Sequence, residues 1–257
     1  MTIYDSIGKK YSTTRVPDYR IVKTITNLLN LPEGIKIADI GAGTGGYSLL
    51  LANQGFNIYA IEPSSIMQSQ AIQHPNIKWK TGYAEAIPLP DDSVDAVISI
   101  LTIHHFSRLK KAFQEMYRIL KSGTIILLTF DIRLAQKIWL YDYFPWLWED
   151  ALLSLPINEL INLIQTNTKK NVEVIPFLLP HDLSDLFAAA AWRRPELYLR
   201  PEVRAGISSF AKFDQSIIES RVNLLAADLS NGAWNAKYKE ILNLTEIDVG
   251  YRFLRIF

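Results

Sequence analysis

The sequence predicts an α/β fold in which helices cover both faces of a Rossmann-like, mostly parallel sheet. Short apolar runs alternate with segments whose apolar residues recur at helical spacing, and this alternation describes βαβ units. The first apolar run ends in a glycine-rich turn, which is typical of the strand-to-helix junctions where α/β proteins bind ligands. The chain has 257 residues, 49% of them apolar and 21% charged, so it can bury a substantial core.

The first half of the chain follows this alternation. Residues 17–30 place Ile21, Ile25 and Leu28 at helical spacing, and Pro32 and Gly34 then end that helix. Strands are predicted at 35–40, 57–61, 77–81, 94–100 and 124–130, with helices between them at 47–53, 64–72 and 109–120. These elements form successive βαβ units of one parallel sheet.

The pattern changes after residue 131. Six of the ten residues over 139–148 are aromatic, and they either line a pocket for a planar acceptor or pack a cap helix onto the sheet. We expect one domain over residues 1–257, with a binding core over 1–130, helical cap segments over 131–165 and 182–240, and closing strands over 171–177 and 248–257.

The composition excludes several kinds of site. The chain has no cysteine, which excludes disulfides, iron–sulfur clusters, thiolate zinc sites and a cysteine nucleophile. The four histidines lack the helical spacing of a zinc enzyme, so we expect no bound metal. The net charge of +1 provides no broad basic surface, so a nucleic-acid substrate is disfavoured.

The apolar runs also bear on the location of the protein. None reaches the roughly 18 residues of a membrane span. The N-terminal residues MTIYDSIGKKY lack the apolar centre of a signal peptide. We therefore expect a cytoplasmic protein without a membrane span.

A glycine-rich loop, DIGAGTGG over residues 39–46, ends the first predicted strand and opens the first helix of the sheet. Its glycines match the dinucleotide-binding pattern, in which the backbone approaches a ligand closely. Dinucleotide sites hold a pyrophosphate at the helix N-terminus, however, whereas the carboxylate of Asp39, two positions before Gly41, favours a cationic ligand. A sulfonium cofactor with a free amino group is such a ligand.

A second carboxylate, Glu62, ends the second predicted strand 21 residues after Gly41. An acidic residue at this place can accept hydrogen bonds from both hydroxyls of a ribose. The alternative is that Glu62 belongs to the N-terminal cap of the helix that follows Pro63.

Together with GYAEAIPLPDDSVDAVIS at residues 82–99, these motifs make the chain resemble the class I S-adenosylmethionine-dependent methyltransferases. The resemblance is to the type-11 group, which includes ubiquinone and menaquinone biosynthesis methyltransferases. It covers residues 1–130 and implies a seven-stranded sheet with S-adenosylmethionine across the carboxyl ends of the first strands. It also implies methyl transfer with S-adenosylhomocysteine as the product and without a metal.

The resemblance assigns cofactor contacts to the matched positions. Gly41 and Gly43 lie beside the methionine part of the cofactor, and Glu62 lies on the ribose. Ala84 and Glu85 fall at the adenine edge, and a residue of the following helix, Ile66 or Met67, either lies near the adenine face or belongs to the core. The expected cofactor-binding residues are Tyr11, Arg15, Asp39, Gly41, Ala42, Gly43, Glu62, Met67, Ala84, Glu85 and Leu101.

Two features qualify these assignments. Tyr83 stands where the family usually has an aspartate that hydrogen-bonds the exocyclic amine of adenine, so this contact comes from the Ala84 backbone, from Glu85 or from neither. Tyr11 and Arg15 lie in the segment YSTTR, which resembles the N-terminal lid that reaches the carboxylate of the cofactor. For Arg15 the alternative is a surface position.

The segment after the fourth strand, from Leu101 to Phe106, is expected at the mouth of the site. Direct displacement of the methyl group needs close alignment, exclusion of water and sometimes a base. His104 or His105 can deprotonate an acceptor hydroxyl, because imidazole titrates near neutral pH. The alternative is that both histidines orient the loop or line the pocket.

The sequence therefore favours methyl transfer to a small-molecule acceptor, with O-, N- and C-methylation all open. Three alternatives stand beside it: a methyltransferase acting on RNA or protein, an NAD(P)-dependent oxidoreductase, and a regulatory protein that binds S-adenosylmethionine without catalysis. Asp39 and the motif at residues 82–99 argue against the oxidoreductase.

Overall fold

The computed structural model describes residues 8–257, with side chains described from residue 11 onward. The first seven residues of the predicted core and lid therefore lie outside the described residues. The strands are β1 (Lys36–Ile40), β2 (Asn57–Ile61), β3 (Ile77–Lys80), β4 (Val94–Ile100), β5 (Leu120–Phe130), β6 (Val172–Pro176), β7 (Leu179–Pro180), β8 (Glu246–Ile247) and β9 (Tyr251–Ile256).

The main sheet has seven strands in the order β3-β2-β1-β4-β5-β9-β6, and β7 pairs with β8 apart from it. Every strand of the main sheet runs in one direction except β9, which is antiparallel to both of its neighbours. The prediction of a Rossmann-like, seven-stranded and mostly parallel sheet is confirmed. The central strands are buried on both faces, which explains their nearly continuous apolar sequences.

The helices cover both faces of the sheet and continue into the C-terminal half. They are α1 (Tyr19–Leu29), α2 (Gly46–Ala52), α3 (Ser65–Gln68), α4 (Leu109–Ile119), α5 (Leu140–Tyr143), α6 (Pro145–Leu152), α7 (Ile157–Thr168), α8 (Pro201–Ala205), α9 (Ser208–Ala211), α10 (Gln215–Asn231) and α11 (Ala233–Tyr238). Short 3₁₀ segments lie at Gly8–Thr13, Ile103–His105, Ile132–Leu134, Pro195–Leu199 and Lys239–Asn243.

The core lies on both faces of the sheet because the side chains of each strand alternate in direction. On β5, Ile126 and Leu128 belong to the apolar cluster that includes α1 and α2. Ile125 and Leu127 belong to the cluster on the opposite face, which includes α4 and α7. The two helix layers therefore hold the strands in place, and the strand ends position the loops that follow them.

The helix predicted at residues 64–72 is shorter in the structure, where α3 covers Ser65–Gln68. Two side chains just beyond it, Ser69 and Gln70, both donate hydrogen bonds to the carbonyl oxygen of Ile66, at 2.9 and 3.0 Å. Such local bonds compete with helical backbone bonds, and they end the helix after one turn.

The cap segment predicted as helical over 182–240 contains no helix before Pro195. Residues 182–194 form turns and extended backbone because they pair with the N-terminal strap, which we define as residues 11–20. The Leu186 N–H donates to the Thr14 carbonyl at 3.1 Å, and Arg15 forms a bridge with Asp185.

The aromatic segment over 139–148 mostly packs inside the cap. The indole N–H of Trp139 donates to the carbonyl oxygen of Trp192 at 2.6 Å. The Trp139 ring meets Tyr198 and Trp234 edge to face, with centroids 5.6 and 5.5 Å apart. Tyr141 is different, because its side chain lines a cavity. Within residues 8–257, no helix is both long enough and apolar enough to cross a membrane.

Candidate active site

The loop that follows β1 depends on two glycines in the left-handed region. Gly41 has a φ of 75° and Gly43 a φ of 60°, a conformation that side chains other than glycine disfavour. A Cβ on Gly41 would lie 2.5 Å from Oγ1 of Thr102, so the loops after β1 and β4 can meet only at a glycine. A Cβ on Gly43 would have the Cε atom of Met67 as its neighbour, at 3.4 Å.

Glu62 lies just after β2 and holds this loop in place. Its Oε2 accepts the N–H of Gly43 at 2.9 Å, and its Oε1 accepts the N–H of Ser64 at 2.9 Å. The side chain is buried, and each carboxylate oxygen can accept more than one hydrogen bond. The contact with Ser64 also shows that the predicted capping role of Glu62 and its place in the site are compatible.

These residues line a cavity of about 320 Å³, which we call the glycine-loop cavity. It brings together most of the predicted site residues: Tyr11, Gly41, Gly43, Glu62, Met67, Ala84, Glu85, Leu101 and His105. Its remaining lining residues are Pro63, Gly82, Tyr83, Ile100, Thr102, Phe106 and Ser107. The sequence motifs therefore converge on one place at the carboxyl ends of the central strands.

The charge of the glycine-loop cavity is negative. Two carboxylates, Glu62 and Glu85, line it, and no lysine or arginine does so among the side chains that the structure describes. Burial opposes ionisation of Glu85, but hydrogen bonds from the Arg108 N–H and the Ser107 hydroxyl lower its pKa below the ordinary value. A cationic sulfonium fits this negatively charged lining. The absence of a side chain at Gly43 also keeps the space beside Met67 open, because a Cβ there would narrow it.

Two predicted residues lie just beneath the cavity rather than on its wall. The carboxylate of Asp39 accepts the hydroxyl of Ser48 at 2.6 Å, and the Ala42 N–H donates to the Ile61 carbonyl at 3.1 Å. Burial, with the charge of Glu62 adding to it, raises the pKa of Asp39 to about 7 despite the hydrogen bond from Ser48. Asp39 therefore supports the loop and is only partly ionised at neutral pH.

A second and larger cavity, of about 630 Å³, lies between the sheet edge and the cap. We call it the cap cavity. The predicted residues Arg15 and His104 line it, so the structure places them apart from most of the predicted cofactor residues. Its apolar wall consists of Leu101, Ile103, Phe106, Leu109, Phe130, Ile132, Leu140, Leu147, Leu152, Leu153, Leu155, Leu160, Phe187 and Ile207, among others.

The two cavities meet at Leu101 and Phe106, which line both of them. Leu101 has a φ of 55°, which is unusual for a bulky residue. Its N–H donates to the Leu128 carbonyl at 2.8 Å, which extends the pairing of β4 with β5 beyond Ile100. Strained backbone of this kind costs about 1–3 kcal/mol and persists where the surrounding structure determines it, often at active sites.

The two histidines lie side by side, with ring centroids 4.0 Å apart, but each faces a different cavity. His104 is an exposed residue whose side chain faces the cap cavity, and the protein packed around the ring desolvates it. Burial, together with His105 and the charge of Lys212, lowers the pKa of His104 well below its ordinary value. Burial and Lys212 likewise lower the pKa of His105 to about 4. Both imidazoles are therefore neutral at physiological pH.

Sequence reasoning missed the partners that lie far apart along the chain. Nε of Arg15 donates to Asp185 at 2.5 Å, and the Tyr47 hydroxyl donates to the same carboxylate at 2.9 Å. Thr129, which lines the cap cavity, was not predicted either, although its position at the end of a buried apolar run could have suggested a site. Tyr141 belongs to the aromatic segment over 139–148, for which lining a pocket was one of two open alternatives.

Comparisons with known proteins agree with this geometry. Residues 38–128 match the family model described as a methyltransferase domain. The chain is 69% identical to a protein of known structure from Anabaena variabilis ATCC 29413, assigned as a methyltransferase of an antibiotic biosynthesis pathway. The two superimpose with a TM-score of 0.93 over 95% of this chain and 99% of that one.

More distant relatives cover the core alone. One is the ubiquinone/menaquinone biosynthesis C-methyltransferase of Rubrivivax gelatinosus, 35% identical over 35% of this chain and 37% of that protein. Another is the tRNA (carboxymethyluridine(34)-5-O)-methyltransferase of Arabidopsis thaliana, 33% identical over 49% of this chain and 31% of that protein. The chain thus matches only about a third of the length of these two curated relatives, whose acceptors differ in kind.

Proposed function

This chain belongs to the type-11 family of S-adenosylmethionine-dependent methyltransferases, and on that premise we propose that it methylates a small-molecule acceptor held in the cap cavity. The observation that carries the proposal is the junction of the two cavities at Leu101 and Phe106. A donor in one cavity and an acceptor in the other would meet there, which is the arrangement that direct displacement requires.

The glycine-loop cavity is the place for the cofactor, which supplies a methyl group on a positively charged sulfur. Glu62 is the acceptor for ribose hydroxyls, and its bonds to the Gly43 and Ser64 N–H groups fix its orientation beforehand. Ala84, Glu85 and Met67 line the part of the cavity assigned to adenine. Tyr11 lines the same cavity, so the N-terminal strap takes part in it.

The cap cavity suits a small acceptor because its wall is mainly apolar. An apolar wall excludes water from the methyl group, which suppresses its loss by hydrolysis. His104 faces this cavity as a neutral imidazole and can accept a proton from an acceptor. His105 faces the glycine-loop cavity, so we assign it to positioning the loop and not to proton transfer.

Among the alternatives, RNA is disfavoured because the cations of the cap cavity are already paired. Lys212 pairs with Asp150 at 2.9 Å, and Arg133 pairs with Asp131 at 3.1 Å. A phosphate backbone would have to displace these carboxylates before it gained a contact. A nicotinamide cofactor is disfavoured because the methyltransferase family model matches residues 38–128, which include the glycine-rich loop and Glu62.

The proposal is tested by following a labelled methyl group. The protein is incubated with S-adenosylmethionine labelled on the methyl carbon, and with either a panel of small phenols, alcohols and amines or bulk tRNA. We expect label in the small-molecule fraction and none in tRNA above a no-enzyme control. Label recovered in tRNA would favour the RNA alternative, and no turnover despite cofactor binding would favour the regulatory one.

A further inference from the structure

Several polar groups that line the cap cavity, the hydroxyls of Ser154 and Ser208 among them, have no hydrogen-bond partner within the part of the chain that the structure describes. Three further such groups are the hydroxyls of Thr129 and Tyr141 and the imidazole of His104. Thr129 is 5% exposed and Tyr141 is 7% exposed, and each lines the cavity. Each hydroxyl is open to the cavity, so an acceptor bound there can complete its hydrogen bonding.

All three groups can donate and accept a hydrogen bond, because a hydroxyl does both and a neutral imidazole has one nitrogen of each kind. Burial raises the pKa of Tyr141 above its ordinary value, so its hydroxyl keeps its proton. Groups that both donate and accept hydrogen bonds are suited to an uncharged polar group on the acceptor, such as a hydroxyl. A carboxylate or phosphate would need a cation, and an ammonium would need a carboxylate.

The charged side chains of the cap cavity are not available to a charged acceptor, because each of them already forms an ion pair with a side chain of opposite charge. Lys212 pairs with Asp150, and Arg133 pairs with Asp131. Arg15 pairs with Asp185, which is buried. A charged acceptor would have to compete with these pairs, and breaking the buried pair between Arg15 and Asp185 is strongly unfavourable.

One wall of the cap cavity is a continuous row of rings. His104 meets Phe130 edge to face at 5.4 Å, and Phe130 lies 5.8 Å from Tyr251. Tyr251 in turn lies 4.8 Å from Phe187, and all four rings line the cavity. A flat aromatic molecule packs favourably against such a row.

From these features we propose that the acceptor is an uncharged aromatic alcohol that is methylated on oxygen. Its hydroxyl lies among Thr129, Tyr141 and His104, and its ring lies along the row from Phe130 to Phe187. The inference rests on the proposed function. In the reaction, the acceptor oxygen bonds to the methyl carbon while the carbon–sulfur bond breaks and its electron pair stays on sulfur. The hydroxyl proton passes to the imidazole of His104.

Three naphthalenes with one ring system test the charge preference: 2-naphthol, 2-naphthoate, and 2-(aminomethyl)naphthalene as its ammonium. Each is titrated near pH 7 into the protein saturated with S-adenosylhomocysteine. We expect 2-naphthol to bind at least about 10-fold more tightly than the two ions, because they leave a buried charge unpaired. With S-adenosylmethionine we expect 2-methoxynaphthalene as the product.

Tyr141→Phe and Thr129→Val test the hydroxyl contacts, because each change removes a hydroxyl and nearly preserves the volume. We expect each to weaken 2-naphthol binding by about 2- to 10-fold, as the loss of one hydrogen bond does. Neither should change the affinity for S-adenosylhomocysteine. The matched control is Tyr143→Phe, whose hydroxyl donates to Asp228 at 2.7 Å outside the cavity, and which should leave 2-naphthol binding unchanged.

The possible outcomes distinguish a failure of this inference from a failure of the proposed methyltransferase function. Binding of S-adenosylhomocysteine together with a preference for either ion overturns the inference and leaves the methyltransferase intact. The same holds if none of the three naphthalenes binds, or if Tyr141→Phe and Tyr143→Phe behave alike. Absence of S-adenosylhomocysteine binding in a folded sample overturns the proposed function itself.

Discussion

The two cavities that meet at Leu101 are built in opposite ways. The glycine-loop cavity comes from one stretch of chain after residue 38, plus Tyr11, and its carboxylates are already bonded to backbone N–H groups. The cap cavity gathers residues from Arg15 to Tyr251, and its walls are aliphatic and aromatic with unpartnered hydroxyls among the described residues.

This difference separates what the family shares from what the individual protein selects. A local loop with self-contained hydrogen bonds keeps its shape whatever the acceptor is, so it suits a constant cofactor. A cavity assembled from distant segments can change its lining without disturbing the sheet, so it suits a particular acceptor. If the two cavities are independent, a substitution in one of them should leave ligand binding in the other unchanged.

The largest effect is expected at Asp185, which holds the N-terminal strap against the cap. Asp185→Asn removes the charge from a buried carboxylate that binds Arg15 and Tyr47. We expect the free energy of unfolding to fall by about 3 kcal/mol, because Arg15 is left as a buried charge without its ion-pair partner. Thermal denaturation measures this loss.

The matched control is Asp182→Asn, which breaks the pair between Arg20 and an Asp182 side chain that is 60% exposed. Exposed pairs contribute about 0–1 kcal/mol, so this variant should denature almost like the parent. Equal losses for Asp182→Asn and Asp185→Asn would show that the buried pair does not hold the strap.

The next effect is expected in the glycine-loop cavity alone. Glu62→Ala should weaken binding of S-adenosylhomocysteine by about 10- to 100-fold, because charged hydrogen bonds to the ribose are lost. Glu33→Ala, at an exposed position before β1, is the control and should bind like the parent. Calorimetric titration measures both, and unchanged affinity in Glu62→Ala would refute the ribose assignment.

A smaller effect is expected from alanine at Gly43, and a comparison with alanine at Gly34 distinguishes backbone strain from a lost contact with the cofactor. Gly43→Ala and Gly34→Ala both place a Cβ at a positive φ, 60° and 83°, which costs about 1–2 kcal/mol. Only the Cβ at position 43 has a neighbour within 4 Å, the Cε atom of Met67. We expect similar losses of stability from both variants, but weaker S-adenosylhomocysteine binding from Gly43→Ala alone. Equal affinities in the two variants would remove Gly43 from the cofactor contact.

The smallest effect is a pH dependence with two opposing parts. The folded protein holds His105 neutral down to about pH 4, and it also lowers the pKa of His104. An unfolded histidine, in contrast, binds a proton below about pH 6.5. The unfolded state then binds more protons in this window, so stability falls as the pH falls from 6.5 towards 4. Asp39 opposes this trend, because its pKa of about 7 lets the folded state bind a proton first.

The double variant His104→Gln/His105→Gln should therefore reverse the trend. With only Asp39 left of these three groups, stability should rise as the pH falls from 7 towards 5. Denaturant titrations at several pH values measure the slope. A double variant that keeps the slope of the parent would show that the histidines are not held neutral.

The sequence predicted the sheet and the cofactor side of the site because both are encoded locally. The burial of β4 follows from its own apolar residues, and Gly41 and Glu62 each end a strand whose neighbours fix their position. The helix predicted at 64–72 was too long because side chains of Ser69 and Gln70 bond to the backbone, which apolar periodicity does not reveal.

The cap side could not be predicted in the same way. Arg15 and Asp185 are 170 positions apart, and nothing in either local sequence indicates that they pair. Two alternatives were open for the aromatic segment over 139–148, lining a pocket or packing within the cap, and each describes part of it. Trp139 packs inside the cap, whereas Tyr141 lines the cap cavity. The side to which an aromatic ring turns depends on tertiary contacts and not on composition.

We propose that the glycine-loop cavity binds a cationic sulfonium cofactor and not a dinucleotide. It is tested most directly by calorimetric titration of the purified protein with S-adenosylhomocysteine and, separately, with NAD and NADP. We predict that S-adenosylhomocysteine binds with micromolar or tighter affinity and that the dinucleotides do not bind. Tight binding of either dinucleotide, or no binding of S-adenosylhomocysteine to folded protein, would contradict the claim.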